Sequence, residues 1–367
     1  FQSFRFVEIL SKNEICASQF CQKKFIPLIL EYIKQTASSD VQAKDVDFLM
    51  LLLRILNNIF YKTSNAMIDY SQELVDILLH LFTTSGIEPI QELCLLILSN
   101  MLQYPQYFQA QKLVDIIAVL QMFMNNPAVN LISHVLFIFH QIAEKKFELA
   151  PLIINPSSLP ILVQLTSHEC LNIRVSSLLI FISILKIQRG NEELKLLIYQ
   201  NIDFPWFANT WTAYQDETHG SLSELLYYSI ASNSALIKPM IESNIFKLLL
   251  DSLKSSTYSI QLIIVRNLIR LFLLNDFDFV VFSLENGLLD KIDSFMAIKS
   301  VEISPFLINF YFHLFHLAEI GKVEIKNYDY ETLHEQMANL DLSNCLCLKP
   351  KRDAILQKIE SLEDNAE

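Results

Sequence analysis

One pattern decides the architecture: an apolar helical run closing on a polar residue returns along the chain every 41 to 46 residues. The clearest copy is LCLLILSNM, Leu93 to Met101, with Asn100 as its polar close. One period earlier LLRILNN ends at Asn58. Later periods bring VLFIFHQ to Gln141, SLLIFIS to Ser183, ELLYYS to Ser229, RNLIR to Arg270 and FYFHLFH to His316. Each run follows a shorter apolar helix. The string LVDI stands at Leu74–Ile77 and again at Leu113–Ile116, 39 residues on. Matched sequence at matched phase marks a solenoid of two- or three-helix repeats. A lone helical hairpin cannot bury both its apolar faces, so roughly three or more units must stack.

Taken in order, residues 1–20 read as the remains of an entering cap, with one short helix in FRFVEILS. The opening FQSFRFVEILSKN has the character of the interior of a longer protein. A solenoid is expected over 21–324. Its first unit pairs Lys23–Gln35, with Phe25, Leu28, Ile29 and Ile33 on one face, with a helix through Leu49–Phe60. TASSDVQAKD separates the two, and Asp45 or Asp47 is placed to cap the second. From the fourth unit on, a small helix precedes each pair: FELAPLII, LKLLIYQNI, ALIKPMIES and FVVFSLEN. Pro156, Ser157, Ser158, Asn244, Asn286 and Gly287 supply the corners between helices. The fifth unit differs. NIDFPWFANTWTAYQ replaces its short helix, a loop over Asp216–Gly220 stretches the spacing to 46, and both tryptophans, Trp206 and Trp211, fall here. Burial is the favoured fate of two large aromatics, with one exposed for a partner as the alternative. Residues 325–367, with YETLHEQMANL and RDAILQKIESLEDNAE, read as capping helices and an acidic tail.

Five glycines in 367 residues leave no glycine-rich phosphate loop and no hairpin-rich β protein, so the class is all-α. The longest apolar window, VSSLLIFISIL between Arg174 and Lys186, is too short for the ~20 apolar residues of a membrane span. It reads as a helix buried on most sides. The formal charge of −12 comes without any basic run, which speaks against nucleic acid. Six cysteines lie without framework spacing, as expected of reduced intracellular thiols. A cytoplasmic or nuclear location is expected. Cys345 and Cys347, or Cys16 and Cys21, lack the His or second pair that zinc spacing requires. His313 and His316 share a helix face, more in the manner of a helix surface than of a ligand set. No catalytic motif is present, so neither enzyme activity nor a cofactor is expected.

The succession of small helix, corner, apolar helix, loop and long helix resembles the armadillo repeat. The likeness covers about residues 20–320 and is best in PMIESNIFKLLLDSLKSSTYSIQLIIVRNLIRLFLLN, 239–275. LCLLILSNML is similar to the third-helix signature of importin-α and β-catenin relatives. The resemblance implies a right-handed superhelix of about seven repeats, whose long third helices line a concave groove for extended peptides or partner domains. In importin-α relatives, a Trp and an Asn recur along that groove to hold lysine stems and peptide backbone. Here the Asn is kept at Asn58 and Asn100 and the Trp is absent throughout, which argues against reading nuclear-localisation signals in that manner.

Residues four apart share a helix face. Pairing each polar close with the residue four before it gives the expected groove floor: Arg54 with Asn58, Leu96 with Asn100, Phe137 with Gln141, Leu179 with Ser183, Leu225 with Ser229, Arg266 with Arg270, and Phe312 with His316. Peptide holding falls to the N-terminal half and charge recognition, at Arg266 and Arg270, to the C-terminal half. Those two arginines either meet acidic residues of a partner or pair with Asp276, Asp278 or Glu285 nearby. The function expected is a non-catalytic scaffold or adaptor that binds a segment of another protein. The alternatives are a diverged importin-α-like receptor and a regulator of a chaperone or other enzyme. An exposed apolar groove can also pair with a second copy of the chain.

Overall fold

The structure is a computed structural model that describes residues 2–22, 25–37, 43–63, 67–187, 192–214, 216–254, 256–296, 301–323, 325, 329–340, 342–343 and 345–363. The described residues form α-helices and short 3₁₀ turns, with no strand. None of these helices is long and apolar enough to cross a membrane. The chain divides into two compact units, Phe1–Asn201 and Ile202–Glu367. That division falls inside the span expected to be one solenoid, within the period that lengthens to 46.

The first unit holds α1 (Gln2–Ser11), α2 (Glu14–Gln22), α3 (Phe25–Ala37), α4 (Ala43–Lys62), α5 (Met67–Thr84) and α6 (Glu88–Met101). It continues with α7 (Ala110–Gln121), α8 (Val129–Lys145), α9 (Ala150–Ile153), α10 (Leu159–Leu165), α11 (Leu171–Leu185) and α12 (Glu192–Asn201). Its long helices pack in a row, α4 on α6, α6 on α8 and α8 on α11. A second row runs α3, α5, α7 and α9. Equivalent helices touching in sequence order are what make the unit a solenoid. Ion pairs of Lys34 with Glu73 and of Lys112 with Asp76 bridge the second row. α1 and α2 both pack against α4, covering its open end.

Burial explains the rows. Phe82, Phe139 and Phe181 are inaccessible to water, one to each of three neighbouring helices or helix pairs. α11, which contains VSSLLIFISIL, is buried on nearly every side from Ile180 to Leu185, as the apolarity of that stretch requires. Its buried Arg174 donates from Nη1 to the carbonyls of His168 (2.7 Å) and Glu169 (2.8 Å), just beyond the end of α10. These bonds tie the turn before α11 to the helix itself.

The second unit holds α13 (Phe204–Ala213), α14 (Thr218–Ser232), α15 (Ile237–Glu242), α16 (Ile245–Ser252), α17 (Tyr258–Phe272), α18 (Phe277–Glu285), α19 (Leu288–Met296), α20 (Ser304–Glu319), α21 (Tyr330–Ala338) and α22 (Lys349–Glu363). Its long row is α14, α17, α20 and α22. The C-terminal helix therefore stands where a next long helix would stand. Ile355 and Ile359 are buried, and Lys351 Nζ donates to Asn309 Oδ1 at 2.8 Å across a 42-residue separation. Residues 364–367 of the expected acidic tail lie outside the described residues.

Three local expectations change. α4 begins at Ala43, so Asp45 lies in its first turn and neither Asp45 nor Asp47 precedes the helix as a cap; part of TASSDVQAKD, and Lys23, lie outside the described residues. The fifth unit does have its short helix, α13: Asp203 accepts from Trp206 N at 2.8 Å, and Pro205 sits in the first turn, where a missing N–H costs nothing. Thr218–Gly220, expected in a loop, open α14. Asn244 (φ 58°) and Gly287 (φ 83°) make left-handed corners as expected, and Asn275 (φ 61°) makes another.

Candidate partner-binding faces

In the first unit each long helix leaves one stripe uncovered. On α4 it runs through Arg54, on α6 through Leu96, on α8 through Phe137 and on α11 through Leu179. Arg54 is exposed, Phe137 is 43% exposed, and Leu96 and Leu179 are half-buried. These are the first members of the expected pairs, at equivalent positions of stacked helices, so they share one open side of the row. His134 Nε2 lies 3.6 Å from Glu92 Oε1 on that side, joining α8 to α6.

The polar closes behave differently. Asn100 Nδ2 donates to Asn57 Oδ1 at 2.9 Å, Ser99 Oγ donates to Gln141 Oε1 at 3.3 Å, and His140 Nδ1 meets Ser183 Oγ at 3.0 Å. In each case the residue just before one close meets the close of the next repeat. The second unit repeats the rule, Arg270 Nη2 donating to Tyr228 Oη at 3.2 Å. Asn58 Nδ2 donates to Ser11 Oγ at 3.0 Å, which brings α1 into the same scheme. Asn58, Asn100, Gln141, Ser183 and Arg270 are thus rungs between equivalent helices within the chain. Gln141 and Ser183 are buried, and so is Leu225 at 1% exposure. These three expected groove residues face the interior, because a helix in a stack keeps only a narrow stripe in water.

The two arginines of the sixth repeat part company. The Arg270 guanidinium lies 3.8 Å from the ring centre of Tyr227 and 5.1 Å from that of Tyr228, and its Nη1 donates to Asn267 Oδ1 at 3.3 Å. A guanidinium set against one ring and hydrogen-bonded to Tyr228 and Asn267 is held in place by three contacts. Arg266 lines a cleft beside the same helix and makes no ion pair among the described residues. Neither arginine pairs with Asp276, Asp278 or Glu285; Asp276 instead caps α18, accepting from Phe279 N at 3.0 Å. Ser229 is half-buried. Phe312 (41% exposed) and His316 flank a depression of about 150 Å³ closed by Ala354, Ile355 and Lys358 of α22. Lys351 Nζ stands 5.3 Å from the Phe312 ring centre.

Burial lowers the pKa of His140 and of His313, and His316 and Lys322 push His313 further the same way. His313 Nε2 is shielded from water without a hydrogen-bond partner, its ring edge-on to Phe272. Among the described residues no cluster of three His, Cys, Asp or Glu side chains could hold a metal. The six cysteines are free thiols, and burial pushes Cys94 up to about 12. Trp211 is buried, stacked on His219 with ring centres 4.2 Å apart, while Trp206 is half-buried.

No protein-family model and no curated protein matches the chain. Solved structures do. An engineered protein from a structural genomics consortium aligns over 98% of this chain and 94% of its own, with a TM-score of 0.66 at 14% identity. A designed armadillo repeat protein aligns over 66% of this chain and 99% of its own, with a TM-score of 0.54 at 16% identity. The fold is armadillo-like. Another designed armadillo repeat protein, solved in complex with the peptide (KR)4, covers 62% of this chain and 92% of its own, with a TM-score of 0.51 at 12% identity. Arg54, Leu96, Phe137 and Leu179 lie on the long helices of this armadillo-like stack. Sequence reasoning missed the Tyr227–Tyr228 clamp, although the 42-residue step from Tyr228 to Arg270 carried it.

Proposed function

We propose that this chain is a non-catalytic interaction scaffold or adaptor that binds a segment of another protein along the open stripe of its long helices, in the cytoplasm or nucleus. The observation that carries this reading is the stripe itself. The long helices of the first unit are largely buried, yet Arg54 and Phe137 are exposed and Leu96 and Leu179 half-exposed at the repeat spacing. A large exposed aromatic among aliphatic neighbours is a natural anchor for a partner. Designed armadillo proteins of similar fold, made for modular peptide recognition or solved with a bound peptide, support it. An importin-α manner of binding is not favoured: the amides of Asn58 and Asn100 donate within the chain, and both tryptophans lie on or beside the short α13.

Photo-crosslinking from position 137 tests the reading. Benzoylphenylalanine replacing Phe137 should trap a discrete partner, whereas the same probe at the exposed Ala118 of α7 should not. Trapping from position 118 alone would place the interaction on the other row and overturn the proposal.

A further inference from the structure

The cleft beside Arg266 is built differently from the stripe. Leu262, Ile263 and Arg266 of α17 share one helix face, and with Tyr258, Glu302 and Ile303 they enclose about 430 Å³ within the second unit. This is toward the small end of ligand pockets, which span about 300–1,000 Å³. Its floor is aliphatic. Among the described residues Arg266 has no hydrogen-bond or ion-pair partner, and its Nε is shielded from water without an acceptor. Arg270, one turn along, has its guanidinium hydrogen-bonded to Asn267 and Tyr228 and set against the Tyr227 ring. Two arginines on one helix thus have opposite fates, one locked by aromatic rings and one left with its donors open over an apolar floor.

The missing acceptor has a defined chemistry. A guanidinium offers a planar fork that a carboxylate answers with two parallel bonds. Leu262, Ile263 and Ile303 require that the carboxylate arrive on an apolar stem. Glu302 at the rim repels any anion, and a phosphate dianion, whose added attraction to Arg266 is offset by added repulsion from Glu302, also loses more hydration than a carboxylate over the aliphatic floor. We propose that the Arg266 cleft is an acceptor for one carboxylate on an apolar stem, supplied by an acidic side chain of a docking protein segment. Only the source of the carboxylate rests on the scaffold reading; the cleft itself can be tested without any partner.

The test uses the full chain with ¹³C-labelled isoleucine methyls. It is titrated separately with 3-phenylpropionate, its neutral amide 3-phenylpropanamide, and phenyl phosphate. The methyls of Ile263 and Ile303 should shift saturably with the carboxylate, at least tenfold more tightly than with either other probe. Arg266→Met should abolish that preference, Arg266→Lys should retain part of it, and Glu302→Gln should tighten carboxylate binding severalfold. Equal response to acid and amide, tighter binding of phenyl phosphate, no methyl shift up to the solubility limit, or weaker binding in Glu302→Gln would each overturn the proposal. If Arg266→Met fails to fold, the acid-against-amide comparison in the unaltered chain still decides. Carboxylate binding with no crosslinked partner at position 137 would count against the scaffold reading while leaving the cleft intact.

Discussion

Asn100 donates its side-chain amide to Asn57 Oδ1 at 2.9 Å, across 43 residues of sequence and one step of the stack. Two adjacent asparagines in LLRILNN thus serve different neighbours, Asn57 the following repeat and Asn58 the preceding helix through Ser11. A polar residue between packed helices needs a partner, and a rung of this kind contributes about 0.5–1.5 kcal/mol. Asn100→Ala and Asn57→Ala should each lower stability by about 1 kcal/mol, and the double variant should lose less than their sum. Urea unfolding of the four proteins measures the coupling.

Removing a core ring should cost far more. Phe139 and Phe181 are inaccessible on neighbouring long helices, and either Phe→Ala change should destabilise by about 3–5 kcal/mol through lost burial and the cavity left behind. Chemical denaturation with both fluorescence and circular dichroism checks this.

Stability should fall on mild acidification. His140 and His313 have folded-state pKa values lowered from 6.5 by burial. The unfolded chain therefore binds protons first, so the stability these two imidazoles give is present above about pH 6.5 and declines as pH drops below it. His140→Gln should flatten the dependence of unfolding free energy on pH between 7.5 and 5.5. An unchanged slope would remove His140 from the account.

The aromatic clamp separates ring from hydroxyl. Tyr228→Phe removes the acceptor 3.2 Å from Arg270 Nη2 but keeps a ring, and should cost about 0.5–1.5 kcal/mol. Tyr227→Ala removes the ring 3.8 Å from the guanidinium and should cost at least as much. Thermal melts of both variants, with Arg270→Met as reference, rank the two effects.

At the left-handed corner after α17, Asn275→Gly should be close to neutral, whereas Asn275→Val should cost about 1–2 kcal/mol, because a β-branched side chain clashes at a φ of 61°. Melting temperatures of the two variants distinguish this backbone effect from lost contacts.

How much of this was legible depends on what a period encodes. Recurrence of runs such as LCLLILSNM and VLFIFHQ fixes which positions are equivalent, and so fixes the stack, its corners at Asn244 and Gly287, and the small helices before the later pairs. It does not fix where around the helix an equivalent position points. Arg54 and Phe137 do face water, but Gln141 and Ser183, one turn along their own helices, turn inward to Ser99 and His140. Only the neighbouring helix decides that. α13 escaped because its apolar residues are bulky aromatics without a leucine rhythm, although Asp203 and Pro205 together spell a helix start. The cleft at Arg266 was half legible: the charge was plain in RNLIR, but which acidic groups stand beside it depends on how α17 packs.

The rung rule lapses where the residue before a close is apolar. In the second unit the residue before Arg270 is Ile269, which has no polar group to meet His316, and Phe272 against Phe310, with ring centres 4.7 Å apart, joins α17 to α20 there. Ring contacts tolerate sliding where a directed hydrogen bond does not. Any flexing of this unit should therefore concentrate at that greasy joint, with α20 and α22 swinging together as one plate.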